Sequence, residues 1–235
     1  MGIFARIQAG LAGGAEALGS AFGSVQELLR GFTDPEERRQ TAFAIAMIAL
    51  SAKMARADGV VSRSETDVFC RLFTVPPGEA AHVARFYNLA KRDIAGFETY
   101  ARDIARIFAG DRPMLEDILD GLFDIARADG AVHEREIEFL ARTAAIFGFD
   151  ETAFAQIRER HVIGEGGDPY LVLGADPSWP SDRLRRRYLE LVAENHPDRL
   201  TGRGVPIEFV RIANDRLAAI NAAWERIGRM QAQAS

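Results

Sequence analysis

The chain has one cysteine, Cys70, among 235 residues. A lone thiol forms no internal disulfide, and no Cys/His set has zinc-site spacing, so the sequence suits a reducing compartment. Phe69 and Leu72 beside Cys70 predict a packed thiol rather than a reactive one. Long apolar runs are missing too. A membrane-spanning helix needs about 20 such residues, and in residues 1–32 Arg6, Gln8, Glu16 and Gln26 interrupt the apolar positions. The same stretch has too thin a charged start for a signal peptide. Arg6 also stands where N-myristoylation wants Ser or Thr. Strand patterns are scarce. A phosphate-binding loop, triad-like spacing and a metal-hydrolase motif are missing, which argues against an enzyme. Charge of one sign is not in excess either. Net charge is −5, with 10 Arg against 9 Asp/Glu in residues 167–235 and 19 basic against 25 acidic residues elsewhere. Neither part is the basic surface of a nucleic-acid binder.

What is present is helical periodicity, and the expected fold class is all-α. Residues 1–39 form an Ala/Gly-rich segment whose larger apolar residues, Phe4, Ile7, Leu11, Leu18, Phe22, Val25 and Leu29, follow helical spacing. Residues 1–32 can be read as a poorly ordered tail, a helix lying on a membrane surface, or a helix docking on a partner chain. From Gln40 the pattern is helical through Asp58-Gly59, where glycine can end the helix in left-handed geometry. Ser62-Arg63-Ser64-Glu65 reads as the capping box of the next helix, and Pro76-Pro77 stops it. Further helices are expected near 79–92, 97–109 and 113–128.

The phrase Ala55-Arg56-Ala57-Asp58-Gly59-Val60-Val61 then returns as Ala126-Arg127-Ala128-Asp129-Gly130-Ala131-Val132, displaced by 71 residues. Glu65 maps to Glu136. Two such copies predict a duplicated helical hairpin about a pseudo-twofold axis. Asp58, Glu65, Asp129 and Glu136 admit two readings. They could converge on a divalent ion of the Mg²⁺ or Ca²⁺ type, through hard oxygen ligands. Alternatively each Asp-Gly ends one helix while each Glu caps the next. The loops lack the carboxylate density of an EF-hand. His82, His133 and His161 have no metal-like spacing and are expected at the surface or at caps.

Residues 163–167 break the pattern and read as a Gly-rich flexible linker. Beyond them Asp168 can cap a short helix with Pro169 at its first position and Gly174 at its end. Ser181 is placed to cap a basic helix with Leu184, Tyr188, Leu191 and Val192 on one side. Arg183, Arg186 and Arg187 lie on the other, with Arg185 nearer the boundary. His196-Pro197-Asp198 follows, and Pro197 should stop that helix. Residues 200–206 form a connector. Phe209, Ile212, Ala213, Leu217, Ile220, Trp224 and Ile227 then mark a long amphipathic helix.

Two families are resembled. Residues 40–162, with the duplicated Ala-x-Ala-Asp-Gly…Glu pattern, look like the TerB-like domain of tellurite-resistance proteins. That resemblance implies an all-α duplicated bundle, with the four acidic residues as its considered metal site. Residues 168–235 resemble the J domain of DnaJ-like co-chaperones, an antiparallel helical hairpin. The residues that carry this are Tyr170-x-x-Leu173-Gly174, Leu184-x-x-x-Tyr188, His196-Pro197-Asp198 and Ala219-x-Asn221-x-Ala223-Trp224. Trp224 stands where tyrosine is commoner. The order of domains resembles bacterial DnaJ-like proteins that are anchored by one N-terminal transmembrane helix and face the cytoplasm. This chain departs from them at its N-terminus. It also lacks the Gly/Phe-rich segment and zinc-binding repeats of the general DnaJ chaperone.

The J-domain resemblance implies docking on an Hsp70 (DnaK-type) chaperone through His196, Pro197, Asp198, Arg185, Arg186 and Arg187, with stimulation of its ATP hydrolysis. A client protein would be selected by the TerB-like domain. The expected location is cytoplasmic, with residues 1–32 offering a peripheral contact to the inner membrane. Three neighbouring arginines would steer an acidic partner, and Asp198 suits a bidentate arginine. The alternative makes the TerB-like part a metal-binding or stress-responsive module with the J domain as an accessory.

Overall fold

A computed structural model describes residues 2–5, 7, 29, 31–57, 64–92, 96–130, 132–162 and 166–234. Among them the chain is all-α. Seven helices build the first unit: α1 (Pro35–Ala57), α2 (Ser64–Leu72), α3 (Ala80–Arg92), α4 (Phe97–Ile107), α5 (Arg112–Ala126), α6 (Glu134–Ile146) and α7 (Glu151–Val162). Four follow: α8 (Pro169–Leu173), α9 (Ser181–Glu194), α10 (Pro197–Gly202) and α11 (Arg211–Ala234).

The sequence repeat is visible in the packing. Helices α1 and α5 lie against each other at the centre. Helix α2 packs on α5 and α6 on α1, while α3 packs on α1 and α7 on α5. Exchanging the two copies therefore maps these contacts onto themselves. In the second copy, α5 ends in a 3-10 turn, Arg127–Asp129, and Gly130 takes φ 120°, a backbone state that glycine tolerates and other residues resist. His133 then caps α6, and the Glu136 carboxylate accepts from the His133 N–H at 2.8 Å.

Helix α4 breaks the symmetry, because it packs on α1 and α6 with no mate among the described residues of 35–162. The equivalent place lies against α5 and α2, and it is filled from the far end of the chain. A 3-10 turn, Ile207–Phe209, leads into α11, which packs on α5. Phe209 is fully buried. Its ring centroid is 4.9 Å from that of Phe73, 5.1 Å from Phe43 and 6.2 Å from Phe69. Val205, Ile212 and Ala213 join the same core. In mid-helix of α5, Gly121 lets Met47 and Ile212 reach the backbone, where a Cβ would meet them at 2.6 and 2.9 Å.

The expected boundary at 163–167 is thus one of sequence, and the packing crosses it. Residues 163–165 lie outside the described residues. At the described end, the Gly167 carbonyl accepts from Arg226 Nη1 at 2.8 Å, and the Asp168 N–H donates to Glu159 at 2.9 Å. Helix α8 also packs on α7.

The N-terminal apolar stripe meets the chain's own core where it is described. Ile3, Phe4, Ile7 and Leu29 are buried, and Phe4 packs 6.1 Å from Phe209. The Phe4 and Ala5 N–H groups donate to Glu79 at 3.1 and 3.2 Å, which satisfies two donors at the start of that segment. These residues face inward because Phe69 and Phe209 leave an apolar surface for them. Leu11, Leu18, Phe22 and Val25 lie outside the described residues. Among the described residues no helix is long and apolar enough to cross a membrane.

Candidate docking site

A second, smaller core holds the C-terminal hairpin together. Asp168 accepts from the Tyr170 and Leu171 N–H groups at 2.9 and 3.4 Å, so it caps α8 as its sequence predicts. Gly174 closes the helix at φ 59°. Val172, Leu173, Leu184, Leu191, Ile220, Ala223 and Ile227 are buried together. Tyr188 and Trp224 stack at 4.9 Å with their planes 9° apart, and the Tyr188 hydroxyl donates to Asn221 at 3.1 Å. Both rings are only partly buried, so they cover the edge of this core rather than fill it. Helix α9 opens after Pro180 without a side-chain cap; Ser181 is already its first helical residue.

The His-Pro-Asp segment joins two helices directly. Helix α9 stops at Glu194 as expected, with the Asn195 N–H bonded to the Leu191 carbonyl at 3.0 Å. The connector, however, opens as a short helix, α10, with Pro197 as its first residue. That is the position where a missing N–H is no loss. His196 is exposed and acts as the cap: Nδ1 accepts from the Asp198 N–H at 3.3 Å. A neutral ring that accepts there carries its proton on Nε2, and Nδ1 also lies 3.5 Å from the Asp198 carboxylate. The Asp198 side chain is 91% exposed, in the first turn of α10, where the helix favours a carboxylate.

The three arginines separate in role. Arg185 and Arg186 are exposed. Arg187 is half-buried: its Nε donates to the Leu173 carbonyl at 3.1 Å and Nη1 lies 3.6 Å from Glu190. It ties α9 to the end of α8, which removes it from the exposed cationic pair. Leu189, 52% exposed, lies three and four residues beyond Arg186 and Arg185 on that outer face. Its departure from the apolar stripe was the available signal for it. From Arg186 and Arg185 to the end of α9 is about 12 and 14 Å at ~1.5 Å rise per residue.

Of the four acidic residues, Glu136 alone has a described side chain. Glu136 is engaged in the α6 capping box, the second of the two readings. Asp58 lies outside the described residues. Glu65 stands in the first turn of α2 and Asp129 ends the 3-10 turn, with their backbone positions alone described. Among the described residues no group of three or more His, Cys, Asp or Glu side chains could hold a metal ion. Cys70 is half-buried against the core, and burial, aided by Asp67, pushes its thiol pKa up, away from reactivity.

A polar network that sequence reading misses lies between the two units. Asp117, Asp120 and Asp124 project from α5 and are buried. Arg216 of α11 reaches Asp120 through Nε at 2.5 Å and Asp117 through Nη2 at 2.8 Å. Arg160 reaches Glu116 at 2.7 Å and Asp120 at 3.3 Å. His161 is buried, not at the surface or a cap as expected. Its Nε2 lies 2.8 Å from Asp120 and Nδ1 3.5 Å from Asp124. The reason is α5 itself, whose apolar residues Leu115, Ile118, Leu119, Leu122 and Phe123 leave little of it to face water.

The network sets a pH dependence. Burial pulls the His161 imidazole down, but hydrogen bonds to Asp120 and Asp124, and their charge, raise it above its ordinary 6.5 overall. Burial also raises Asp124. Burial works against Asp120, yet Arg160, Arg216 and His161 hold it far below the usual carboxylate range. For a raised group, stabilisation is complete below the unfolded pKa and fades as pH climbs through the folded one. Stability should therefore decline above pH ~6.5, by at most ~1.4 kcal/mol per pH unit for one histidine. On the acid side it should fall below pH ~4, where Asp120 takes up a proton in the unfolded chain but stays ionised in the folded one. Urea midpoints measured from pH 3 to 9 check this, and His161→Phe should remove the histidine component of the slope above pH 6.5.

Comparison with known proteins identifies the first unit. Residues 44–159 match the family model described as Tellurite resistance protein TerB, so a TerB domain is found in the first unit. The particular relatives are co-chaperones. Co-chaperone protein DjlA of Photobacterium profundum is 28% identical over 217 residues, covering 81% of this chain and 78% of the relative. The proteins of the same name from Vibrio vulnificus and Yersinia pseudotuberculosis are 25% and 24% identical. They cover 82% and 85% of this chain and 79% and 83% of their own. These spans extend well past the TerB match. No solved structure gives a significant match.

Proposed function

We propose that this chain is a J-domain co-chaperone. Its C-terminal hairpin docks on an Hsp70 (DnaK-type) chaperone, stimulates that partner's ATP hydrolysis, and so couples the partner to a client protein chosen by the TerB domain. The observation that carries this reading is the His196-Pro197-Asp198 segment, with His196 and Asp198 exposed, at the end of a helix whose outer face bears Arg185 and Arg186. An exposed imidazole and an exposed carboxylate suit a polar partner site with its own acceptor and an arginine. The two exposed arginines speed encounter with an acidic patch. Arg187 contributes by fixing α9 to α8. On this reading the chain performs no chemistry of its own, and its place is the cytoplasm beside its partner.

The test is the ATPase rate of the cognate Hsp70 with and without the full chain. His196→Gln or Asp198→Asn should abolish the stimulation while helix content stays the same, since both side chains are exposed. Stimulation that survives both changes would sink the proposal. Arg185→Ala with Arg186→Ala should raise the concentration needed about three- to tenfold at low salt, and less at high salt.

A further inference from the structure

We propose that Asp117 and Arg216 act as positioning residues that hold the His-Pro-Asp segment in its docking geometry, so that the TerB unit governs how readily the chain engages its Hsp70. The inference rests on the docking role proposed above. Its physical basis is that one buried carboxylate faces the anchors of both ends of the segment, Arg203 through a hydrogen bond and Arg216 through an ion pair. At the leading end, Asn195 Oδ1 accepts from Arg216 Nη1 at 3.0 Å, and Arg216 Nη2 lies 2.8 Å from Asp117 Oδ1. At the trailing end, Arg203 Nη2 donates to Asp117 Oδ2 at 2.7 Å. The Arg203 carbonyl also accepts from Arg39 Nε of α1 at 2.6 Å. Asp117 is fully buried on α5, the central helix of the TerB unit.

Between these two anchors His196, Asp198, Arg199 and Gly202 are exposed, and α10 is a helix of six residues. A helix that short is not stable by itself, so its shape must be imposed from outside. Fixing both ends lowers the ordering cost of docking. A cluster that only glued two units together has no need of this arrangement. Buried ion pairs hold elements together no better than apolar packing of similar volume, and Phe209 already supplies apolar packing across the boundary. What the charged cluster adds is direction: one carboxylate oxygen for each end of the segment.

The full chain tests this, with variants at the partly exposed ends rather than at the buried centre. Asn195→Ala removes the acceptor for Arg216, and Asn195→Asp keeps it. Both lose the Asn195 amide bond to Leu191, so that loss is common to the two and does not by itself account for a difference between them. Arg203→Met severs the other end. In the Hsp70 ATPase assay, Asn195→Ala and Arg203→Met should each raise the half-maximal concentration about three- to tenfold, with little change in the plateau. Asn195→Asp should return it toward the parent value. Amide hydrogen exchange on the chain alone should quicken at residues 198–203 in Asn195→Ala and Arg203→Met but not in Asn195→Asp, with α11 unchanged. Unchanged exchange in both Asn195→Ala and Arg203→Met, or no rescue by Asn195→Asp, overturns the positioning role. A parent chain that fails to stimulate the Hsp70 while the exchange pattern holds would overturn the docking role instead.

Discussion

Phe209→Ala should destabilise the whole chain by about 3–5 kcal/mol, the range for emptying a buried phenylalanine site. The size follows from its neighbours. Phe209 is in ring contact with Phe4, Phe43, Phe69 and Phe73, which come from the N-terminal segment, α1, α2 and the turn after α2. No nearby side chain can move into the space without leaving another ring unsupported. The second half of the expectation is cooperativity. The parent chain should melt in one transition, because the end of the sequence completes the core of the TerB unit. In Phe209→Ala the C-terminal hairpin, with its own smaller core, should lose its coupling and give a separate transition. Calorimetry and urea titration followed at Trp179 and Trp224 read both effects. A loss under about 1 kcal/mol would mean that the turn Ile207–Phe209 does not fill the place described for it.

Arg216→Met should also cost about 3–5 kcal/mol, by a different route. The substitution keeps most of the volume and removes the charge that Asp117 and Asp120 face. Asp117 retains Arg203, and Asp120 retains Arg160 and His161, so the cluster is weakened rather than emptied. What remains is an excess of buried negative charge. The signature is therefore a loss that grows between pH 5 and 8 and shrinks near pH 4, where the carboxylates can take up protons. A loss that is flat with pH would point to packing alone. The same variant should show weakened Hsp70 stimulation, since Asn195 loses its donor.

The sequence was informative wherever a local rule decides the structure. The repeat at Asp58-Gly59 and Asp129-Gly130 located the two hairpins, Asp168 and Gly174 bounded α8, and Pro197 ended α9. The proposed docking segment could be named for the same reason, since His196, Pro197 and Asp198 are adjacent in the chain. What stayed hidden is long-range. Phe209 looked like the start of an amphipathic stripe belonging to the hairpin, whereas α11 serves two cores, with Ile212 and Ala213 in one and Ile220, Ala223 and Ile227 in the other. Spacing alone does not say which core a stripe faces. Asp117, Asp120 and Asp124 fall at intervals of three and four, the pattern of a solvated helix face. The contrary clue was the rest of α5, which is apolar nearly all round, so that its acids had to be buried and paired with Arg160, His161 and Arg216. Arg187 was read as one of three like charges, and only the position of the Leu173 carbonyl separates it from Arg185 and Arg186.

The late position of Phe209 has a consequence for synthesis. Ribosomes add roughly 5–20 residues per second, and N-terminal parts of a chain generally fold first. Here the last helix of the TerB unit is complete near residue 162, yet its aromatic centre waits for a residue nearly 50 positions later. For about 2–10 s at that pace, Phe4, Phe43, Phe69 and Phe73 border an unfilled apolar cleft on the nascent chain. Contacts that span almost the whole sequence, such as Phe4 with Phe209, also slow the final closure after release. The nascent chain thus exposes an apolar surface of the kind that chaperones bind until Phe209 arrives to cover it.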